Sequence, residues 1–574
     1  MRFRCPRTGA ARLGSVSLAS GAVASDSALQ RAVASLTATH GRVVAIRPLY
    51  VLSGLVAAQW IAVAALAVTV RHNGWIYYMG GDQLWHYTGA YLIAHGQLAP
   101  TYVGVGWSTL LAPITWIVGP NLVSALPVVV LFNTLVLLPL GLICMYGIGE
   151  RIAGRLFGYW VALLWIAIPF IGIPYALHRY HQKWTEITLP QLLGLGAMSD
   201  YPSMIALVVG AYLCLRALDE RHWLYAAGAG FVVGYALAVK PSNSIFLVAP
   251  GLLFALWRAR ALAPFALGLV PCLAALALCK VRGQGTLPWR TTAPEHRVAL
   301  GSNGFVHRYL GNNNWTQLHA NLLQLREFLW SERILEFLVV AGMLALLTRS
   351  RRAGVFVAVW FSVFLLLKGT YVNSRVEDAT FWRLMMPAFP AFVVLAASVP
   401  LLLPGLRARP AVPARWRVSR RLVVAVAAVL VAALSLFPIG LVAATKPIRG
   451  PRPDAFVLGA TLVPVSASLA PRASVSRGQV RLSWRPLDAV GGRMTYTIFR
   501  RPGGDDVLCG PVAHAPDLCG LAALRVGNTR TAAFSDRPGP GRWTYRVGAT
   551  ANWLADPKAG DIYVFSPPLR IDVR

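Results

Sequence analysis

Apolar stretches long enough to cross a bilayer recur along this chain of 574 residues. A membrane-spanning helix needs about 20 consecutive, mainly apolar residues. Hydrophobic residues make up 56% of the sequence and the mean hydropathy is +0.55, which is too apolar for a soluble protein of this length. The pattern predicts a polytopic α-helical membrane protein. Its eleven predicted spans are residues 51–70, 122–146, 157–177, 200–218, 222–239, 243–257, 261–279, 334–348, 353–369, 384–404 and 422–445.

The positive charge of the chain lies largely in short connectors between the predicted spans. The formal net charge is +32, and residues 349–352 and 407–421 are among the basic connectors. Basic loops remain in the cytoplasm, so these connectors predict which side is inside. An anionic membrane surface is their expected partner, and nucleic acid is not. The predicted location is a bacterial plasma membrane, crossed many times. The loops expected outside the cytoplasm are residues 71–121, 178–199, 280–333 and 370–383.

Composition divides the chain into four parts. Residues 1–48 are rich in Arg, Ala and Ser and are expected to be a disordered cytoplasmic leader, which may even precede the true start of the protein. The transmembrane domain covers residues 49–446, and a linker covers 447–473. Residues 474–574 change texture, with short alternating stretches between Pro- and Gly-rich turns, and therefore predict a small all-β sandwich outside the cytoplasm.

Two aromatic residues in the C-terminal part carry a resemblance. Trp484 lies in a Leu-x-Trp pattern and Tyr545 in a Tyr-x-Val-x-Ala pattern, and together these resemble a fibronectin type III-like domain with both rings in its core. Cys509 and Cys519 close a short loop in this part and form a plausible disulfide if it lies outside the cytoplasm. The cysteines at 144, 214, 272 and 279 lie in apolar spans and are expected to be small core residues.

Asp82 is a candidate catalytic residue because acids are scarce in this chain and this one follows the first predicted span. Its surroundings are glycines and the aromatic run from Trp85 through His86 to Tyr87. A partly desolvated carboxylate can take a proton from a substrate hydroxyl or hold a metal ion. The alternatives are a solvated loop acid at Asp82, and His86 as a proton carrier rather than a packing residue.

A second acid occupies a similar place. Asp200, followed by Tyr201 and a proline, opens the fourth predicted span at its outer end, where it also suits a helix cap. Cations are expected at the same membrane face, and they suit either the phosphate of a lipid-linked substrate or snorkelling to lipid headgroups. These cations include Lys240, Arg383 and Arg179.

The order of these motifs resembles the GT-C superfamily of integral-membrane glycosyltransferases, with the branch of protein O-mannosyltransferases and aminoarabinose transferases nearest. The resemblance covers residues 50–450 and includes Gly230-x-x-x-Gly234 and the late Arg-Leu-x-x-Pro-x-x-Pro that begins at Arg383. It implies a polyprenyl-phosphate sugar donor, an acceptor that is a glycan, lipid or protein, and inversion at the anomeric carbon. It also implies Asp82 as general base, Asp200 as an orienting acid, and Lys240 and Arg383 at the donor phosphate. His86, Tyr87, Tyr201 and Arg179 complete the expected substrate-binding set.

The sequence departs from this family at one position. Many relatives carry Asp-Glu in the first loop, whereas Gln83 follows Asp82 here. The missing carboxylate weakens the expectation of a divalent cation, Mg²⁺ or Mn²⁺, although one remains an open alternative. A transporter or flippase of lipid-linked saccharides is the second function that the pattern allows, and an envelope scaffold is the third.

Overall fold

The computed structural model describes most of the apolar part of the chain and the strands of the C-terminal part. The described residues are 47–69, 82–98, 104–119, 122–175, 177–284, 314–328, 332–377, 380–403, 420–447, 469–486, 493–503, 525–552, 564–566 and 568–574. Residues 1–46 of the predicted leader, most of the linker, and Cys509 and Cys519 lie outside these residues.

Leu-, Ala- and Val-rich segments form the helices of this structure, as their helix propensity and apolar length favour. Among the described residues the α-helices are α1 (Pro48–Thr69), α2 (Asp82–Ala94), α3 (Gly106–Val118), α4 (Leu122–Phe132), α5 (Leu138–Ala153), α6 (Arg155–Tyr175), α7 (His178–Lys183), α8 (Leu189–Leu192), α9 (Asp200–Glu220), α10 (Trp223–Val239), α11 (Val248–Trp257), α12 (Leu262–Gln284), α13 (Trp315–Phe328), α14 (Glu332–Arg349), α15 (Arg351–Gly369), α16 (Thr380–Met385), α17 (Phe389–Ser398), α18 (Arg420–Val431) and α19 (Phe437–Ala444).

Eight helical segments in the described part of the chain are long and apolar enough to cross a membrane. They are Pro48–Val68, Ala125–Ala153, Arg155–Pro174, Asp200–Glu220, Ala259–Gly283, Arg351–Gly369, Thr380–Leu402 and Val424–Ala444. Three other predicted spans, 222–239, 243–257 and 334–348, fall on shorter apolar helices of 10 to 17 residues. The count of eleven spans is therefore not confirmed.

The interruption between α10 and α11 has a chemical cause. Pro241 lacks a backbone N–H and cannot continue α10, and a 3₁₀ segment, Pro241–Leu247, connects the two helices. Lys240 adopts an extended conformation between them, with φ −139° and ψ 94°. The chain therefore turns at one end of the helix bundle and presents Lys240 there.

Helices α10 and α12 approach each other closely through glycines. A Cβ added to Gly230 would lie 1.9 Å from the carbonyl oxygen of Phe265, and one at Gly268 would lie 2.1 Å from that of Ala227. No side chain fits at either position, so the Gly-x-x-x-Gly pattern serves backbone contact between membrane helices. The four cysteines predicted as core residues are buried, as expected.

The end of α19 returns to the end of α2. A short parallel pair aligns β1 (Gln97–Leu98) with β2 (Lys446–Pro447), and Gln97 pairs with Lys446. The side chain of Arg282, near the end of α12, donates to the carbonyl oxygen of Thr445 in the same place. The chain therefore leaves its last apolar helix beside the segment that follows α2.

The C-terminal strands form two antiparallel sheets, in agreement with a β domain. One sheet has the order β3 (Arg472–Ser476), β4 (Gln479–Ser483), β7 (Ala533–Asp536). The other has the order β10 (Leu569–Val573), β8 (Gly541–Asn552), β5 (Arg493–Pro502), β6 (Arg525–Thr529), and β9 (Val564–Phe565) pairs with β8. Trp484 and Tyr545 are buried, as predicted for core residues.

Candidate functional site

A buried carboxylate at the start of α9 is held by two cations. Asp200 is 0% exposed, Lys240 donates through Nζ to its Oδ1, and Arg383 donates through Nε to its Oδ2 at 3.1 Å. Asp200 is the first residue of α9, Lys240 follows α10, and Arg383 lies in α16. Three segments that are far apart in sequence thus meet at one charged group.

The two cations are more open than the acid between them. The side chains of Lys240 and Arg383 are 16% and 23% exposed, whereas that of Asp200 is fully buried. Two positive charges and one negative charge leave a net charge of +1. An anion can therefore approach the cations from their open side, while Asp200 orients them from behind.

Asp200 does not act as a helix cap. The N-cap position of α9 is Ser199, which makes no side-chain capping hydrogen bond, and both carboxylate oxygens of Asp200 are bound by cations instead. The alternative interpretation from the sequence, a capping acid, therefore does not describe this side chain.

The loop before Asp200 is fixed by three buried side chains from three segments. Gln83 Oε1 accepts a hydrogen bond from the backbone N–H of Ala197 at 2.9 Å, and Trp107 Nε1 donates to the carbonyl oxygen of the same residue at 2.8 Å. Asn133 Nδ2 donates to the carbonyl oxygens of Gly194 and Gly196 at 2.9 and 3.0 Å. The position of Asp200 is thus set by a rigid hydrogen-bonded loop.

These contacts bring the start of α2 to the loop that leads to Asp200. Asp82 is the first residue of α2, and its side chain lies outside the described part of the structure. Gln83, the next residue, is 0% exposed and reaches Ala197, three residues before Asp200. The segments that carry the two predicted acids are therefore neighbours.

His86 is buried and is a poor proton carrier. Burial, followed by the positive charge of Lys240, lowers the pKa of His86 to about 3, so its imidazole is neutral near pH 7. A base of such low pKa takes up protons only weakly at that pH. This low pKa argues against the alternative in which His86 carries the proton.

Three other residues that were predicted to bind substrate contact groups other than Asp200. The hydroxyl of Tyr87 donates to the carbonyl oxygen of Gly119 at 2.6 Å, and burial raises its pKa. Tyr201 is buried, and its ring lies against Gly194. Arg179 is an exposed residue that pairs with Glu327. None of the three is a described partner of Asp200.

The end of α10 is in direct backbone contact with the first loop. A Cβ at Gly104 would lie 2.1 Å from the carbonyl oxygen of Ala238 and 2.3 Å from that of Val239. The contact lies directly beside Lys240 in the chain. Gly104 and Gly106 thus permit backbone approach, and Trp107, which follows Gly106, supports the 193–199 loop.

The residues around Asp200 do not fit a divalent cation. Both oxygens of its carboxylate are already bound to cations, and a metal ion would add to a local excess of positive charge. Among the residues that the structure describes, no three His, Cys, Asp or Glu side chains lie close enough together to hold a metal ion.

Sequence reasoning identified Asp200, Lys240 and Arg383 but missed the residues that position them. Trp107 and Asn133 look like ordinary members of apolar stretches, and only the fold shows that they reach the 193–199 loop. Gln83 carried a usable signal, because an uncharged amide directly follows the candidate acid Asp82.

Comparison with known proteins gives similarity only among solved structures. No protein-family model matches the chain, and no curated protein sequence matches it. The chain is similar to ArnT from Cupriavidus metallidurans bound to undecaprenyl phosphate, with 12% identity, a TM-score of 0.40, and coverage of 62% of this chain and 60% of that one.

It is also similar to the archaeal oligosaccharyltransferase AglB from Archaeoglobus fulgidus in complex with an inhibitory peptide and a dolichol-phosphate. That identity is 14% and the TM-score 0.34, with coverage of 68% of this chain and 56% of the other. The A. fulgidus oligosaccharyltransferase tethered to an acceptor peptide gives 16% identity, a TM-score of 0.39, and coverage of 70% and 56%. The matched parts make up less than two thirds of each of these proteins.

Proposed function

We propose that this protein is a membrane glycosyltransferase of the GT-C type that moves a sugar from a polyprenyl-phosphate donor to a hydroxyl acceptor outside the cytoplasm. One observation carries the proposal. Lys240 and Arg383 lie side by side, partly open, with the fully buried Asp200 orienting them. A lipid phosphate is an anion that stays at the membrane face, and this pair is placed at the end of apolar helices where it can bind one.

In the proposed reaction Asp82 is the general base. It accepts the proton of the acceptor hydroxyl while that oxygen forms a bond to the anomeric carbon of the sugar. The bond between the anomeric carbon and the phosphate oxygen breaks, and polyprenyl phosphate leaves with its electron pair. A single displacement inverts the anomeric centre, and Lys240 and Arg383 stabilise the charge that develops on the leaving phosphate.

Asp200 acts through the two cations in this proposal. Because both of its oxygens are occupied, it is a positioning residue that keeps Lys240 and Arg383 together. Asp200 therefore orients the donor indirectly, through Lys240 and Arg383. The strand orders β3-β4-β7 and β10-β8-β5-β6 support a fibronectin type III-like C-terminal domain. An extracytoplasmic position of this domain and of the site is part of the same proposal.

The test is reconstitution of the protein into vesicles with polyprenyl-phosphate sugars and measurement of sugar release from the lipid. We expect wild type to release sugar and Asp82→Asn to lose this activity with unchanged folding. Asp219→Asn is the matched control, since Asp219 lies near the opposite end of α9, about 28 Å away at 1.5 Å per residue.

Two outcomes would contradict the proposal. Equal activity of wild type and Asp82→Asn would remove Asp82 as the base. Passage of intact sugar-lipid across the bilayer, without cleavage of the sugar–phosphate bond, would favour the transporter instead. The acceptor class is then found by offering glycan, lipid and protein hydroxyls in separate assays.

A further inference from the structure

Helix α13 (Trp315–Phe328) has a polar buried side and an apolar exposed side. Asn321 is 0% exposed, and its Nδ2 donates to the carbonyl oxygens of Gly369 and Ser374 at 2.9 and 2.7 Å. Gln317 Nε2 donates to the same Ser374 oxygen at 3.0 Å. Leu318 is buried beside these amides. A helix on the surface of a soluble protein has the reverse arrangement, with its polar residues outward.

The exposed side of α13 carries large apolar residues together with basic ones. Trp315 is 63% exposed, Leu322 36% and Leu323 44%. His319 and Arg326 are also exposed, and the spacing 315, 319, 322, 326 places four of these residues in one stripe along the helix. Trp and Leu next to Arg or Lys is the composition of helices that lie in the boundary between lipid headgroups and acyl chains.

The fold fixes α13 at the end of a membrane-length helix. The backbone N–H of Asn314 donates to the carbonyl oxygen of Thr370 at 2.9 Å, directly after α15, and Asn321 binds the last residue of α15, Gly369. Leu366, one turn earlier in α15, is 43% exposed on a segment that is apolar and long enough to cross a membrane. The exposed side of α13 therefore begins close to a surface that faces lipid.

The other end of α13 is held as well. Glu327 pairs with Arg179 of α7 and accepts a hydrogen bond from the hydroxyl of Tyr180 at 3.4 Å. From Phe328 the chain reaches Glu332, the start of α14, in four residue steps, which span at most about 14 Å. With both ends tied down and the buried amides bonded, α13 cannot turn its apolar stripe inward without breaking these contacts.

We propose that α13 is an interfacial helix that lies in the membrane surface at the end of α15. Trp315, Leu322 and Leu323 enter the boundary of the acyl chains. The occupant of this face is the lipid surface itself, because α13 is bonded to the end of α15, a segment that is apolar and long enough to cross a membrane. The proposal is independent of the catalytic one, because it concerns only the position of α13 relative to the bilayer.

The test uses a spin label at Leu322→Cys in the full-length protein, with Cys5, Cys509 and Cys519 replaced by Ser and the four buried cysteines left in place. The protein is reconstituted in vesicles that contain phosphatidylglycerol, and power saturation compares access of oxygen and of a water-soluble nickel chelate to the label. Leu366→Cys is the lipid-facing reference, and Ser474→Cys on an exposed strand of the β domain is the water-facing reference.

We expect the Leu322 label to resemble the Leu366 label, with higher access of oxygen than of nickel. A label as open to nickel as that at Ser474 would overturn the proposal. A label that neither oxygen nor the nickel chelate can reach would also overturn it, because that result would mean that protein covers this face.

Discussion

Gln83 and Ala197 connect the two halves of the candidate site. The side-chain Oε1 of Gln83, the second residue of α2, accepts the backbone N–H of Ala197 at 2.9 Å, and both groups are buried. The segment with Asp82 is thereby attached to the loop that leads to Asp200. An amide at position 83 performs this task without adding a negative charge beside Asp82.

Replacement of Gln83 by Met should destabilise the protein. The change keeps the volume but leaves the N–H of Ala197 buried without its acceptor, which costs about 1–3 kcal/mol. The measurement is the thermal unfolding of the purified protein in detergent. Gln59→Met is the matched control, because Gln59 is also buried and its Oε1 has no hydrogen-bond partner among the described residues. Equal unfolding temperatures for the two variants would contradict the role given to Gln83.

Asp200→Asn should lower the free energy of unfolding more than the same change at an exposed acid. Removing the buried charge of an ion pair costs about 3–5 kcal/mol, since Lys240 and Arg383, which are only partly open, lose their counter-charge. Asp219 pairs with Arg151 at 2.7 Å, but its side chain is 44% exposed, and loss of such a pair costs at most about 1 kcal/mol. Chemical unfolding of both variants tests the difference. If Asp200→Asn lowers the free energy of unfolding no more than Asp219→Asn does, Lys240 and Arg383 do not depend on Asp200.

Local sequence signals predicted the parts of the site that carry charge. Asp200, Lys240 and Arg383 stand out because charged groups are rare in an apolar chain, and the shared membrane face placed them together. Asn133 and Trp107 gave no such signal, because their hydrogen bonds to the 193–199 loop arise from contacts between distant segments. Arg179 was predicted as substrate-binding from charge alone, and its pairing with Glu327 depends on how α7 meets α13.

The fold was predictable where composition acts over a whole helix. Apolar length identified eight membrane-length segments, and the alternating pattern identified the β domain. The first loop was harder to predict, because α2 and α3 are short helices whose buried faces are set by contacts with neighbouring segments. The reversed faces of α13 could not be predicted either, since its inward amides bind backbone carbonyls near the end of α15.

The stability of the protein should fall as the pH is lowered below the ordinary pKa of histidine. Folding lowers the pKa of His86 from about 6.5 to about 3. Between these values the unfolded chain binds a proton that the folded chain does not, so acid favours unfolding. The lowering of the free energy of unfolding by His86 is absent above about pH 6.5. Below that pH its slope approaches about 1.4 kcal/mol per pH unit.

Unfolding of wild type and His86→Gln at several pH values between about 4.5 and 7.5 measures this contribution. The variant should lose the part of the acid sensitivity that His86 supplies, although other groups also titrate in this range. His319→Gln, at an exposed position, is the control variant. Identical profiles for wild type and His86→Gln would mean that His86 takes up its proton as readily in the folded protein as in the unfolded chain.

Gly104→Ala should disturb the site through the backbone. The added methyl group would lie 2.1 Å from the carbonyl oxygen of Ala238, and the contact can be relieved only if the start of α3 or the end of α10 moves. Lys240 directly follows α10, so its position relative to Asp200 should change as well. Such overpacking costs about 1–3 kcal/mol, and sugar transfer should decrease with it.

Gly54→Ala in α1 is the control, because a Cβ there has no neighbour within 4 Å among the described atoms and alanine favours a helix. Thermal unfolding and transfer assays on both variants measure the effect, and full activity of Gly104→Ala would show that Lys240 tolerates movement of α10.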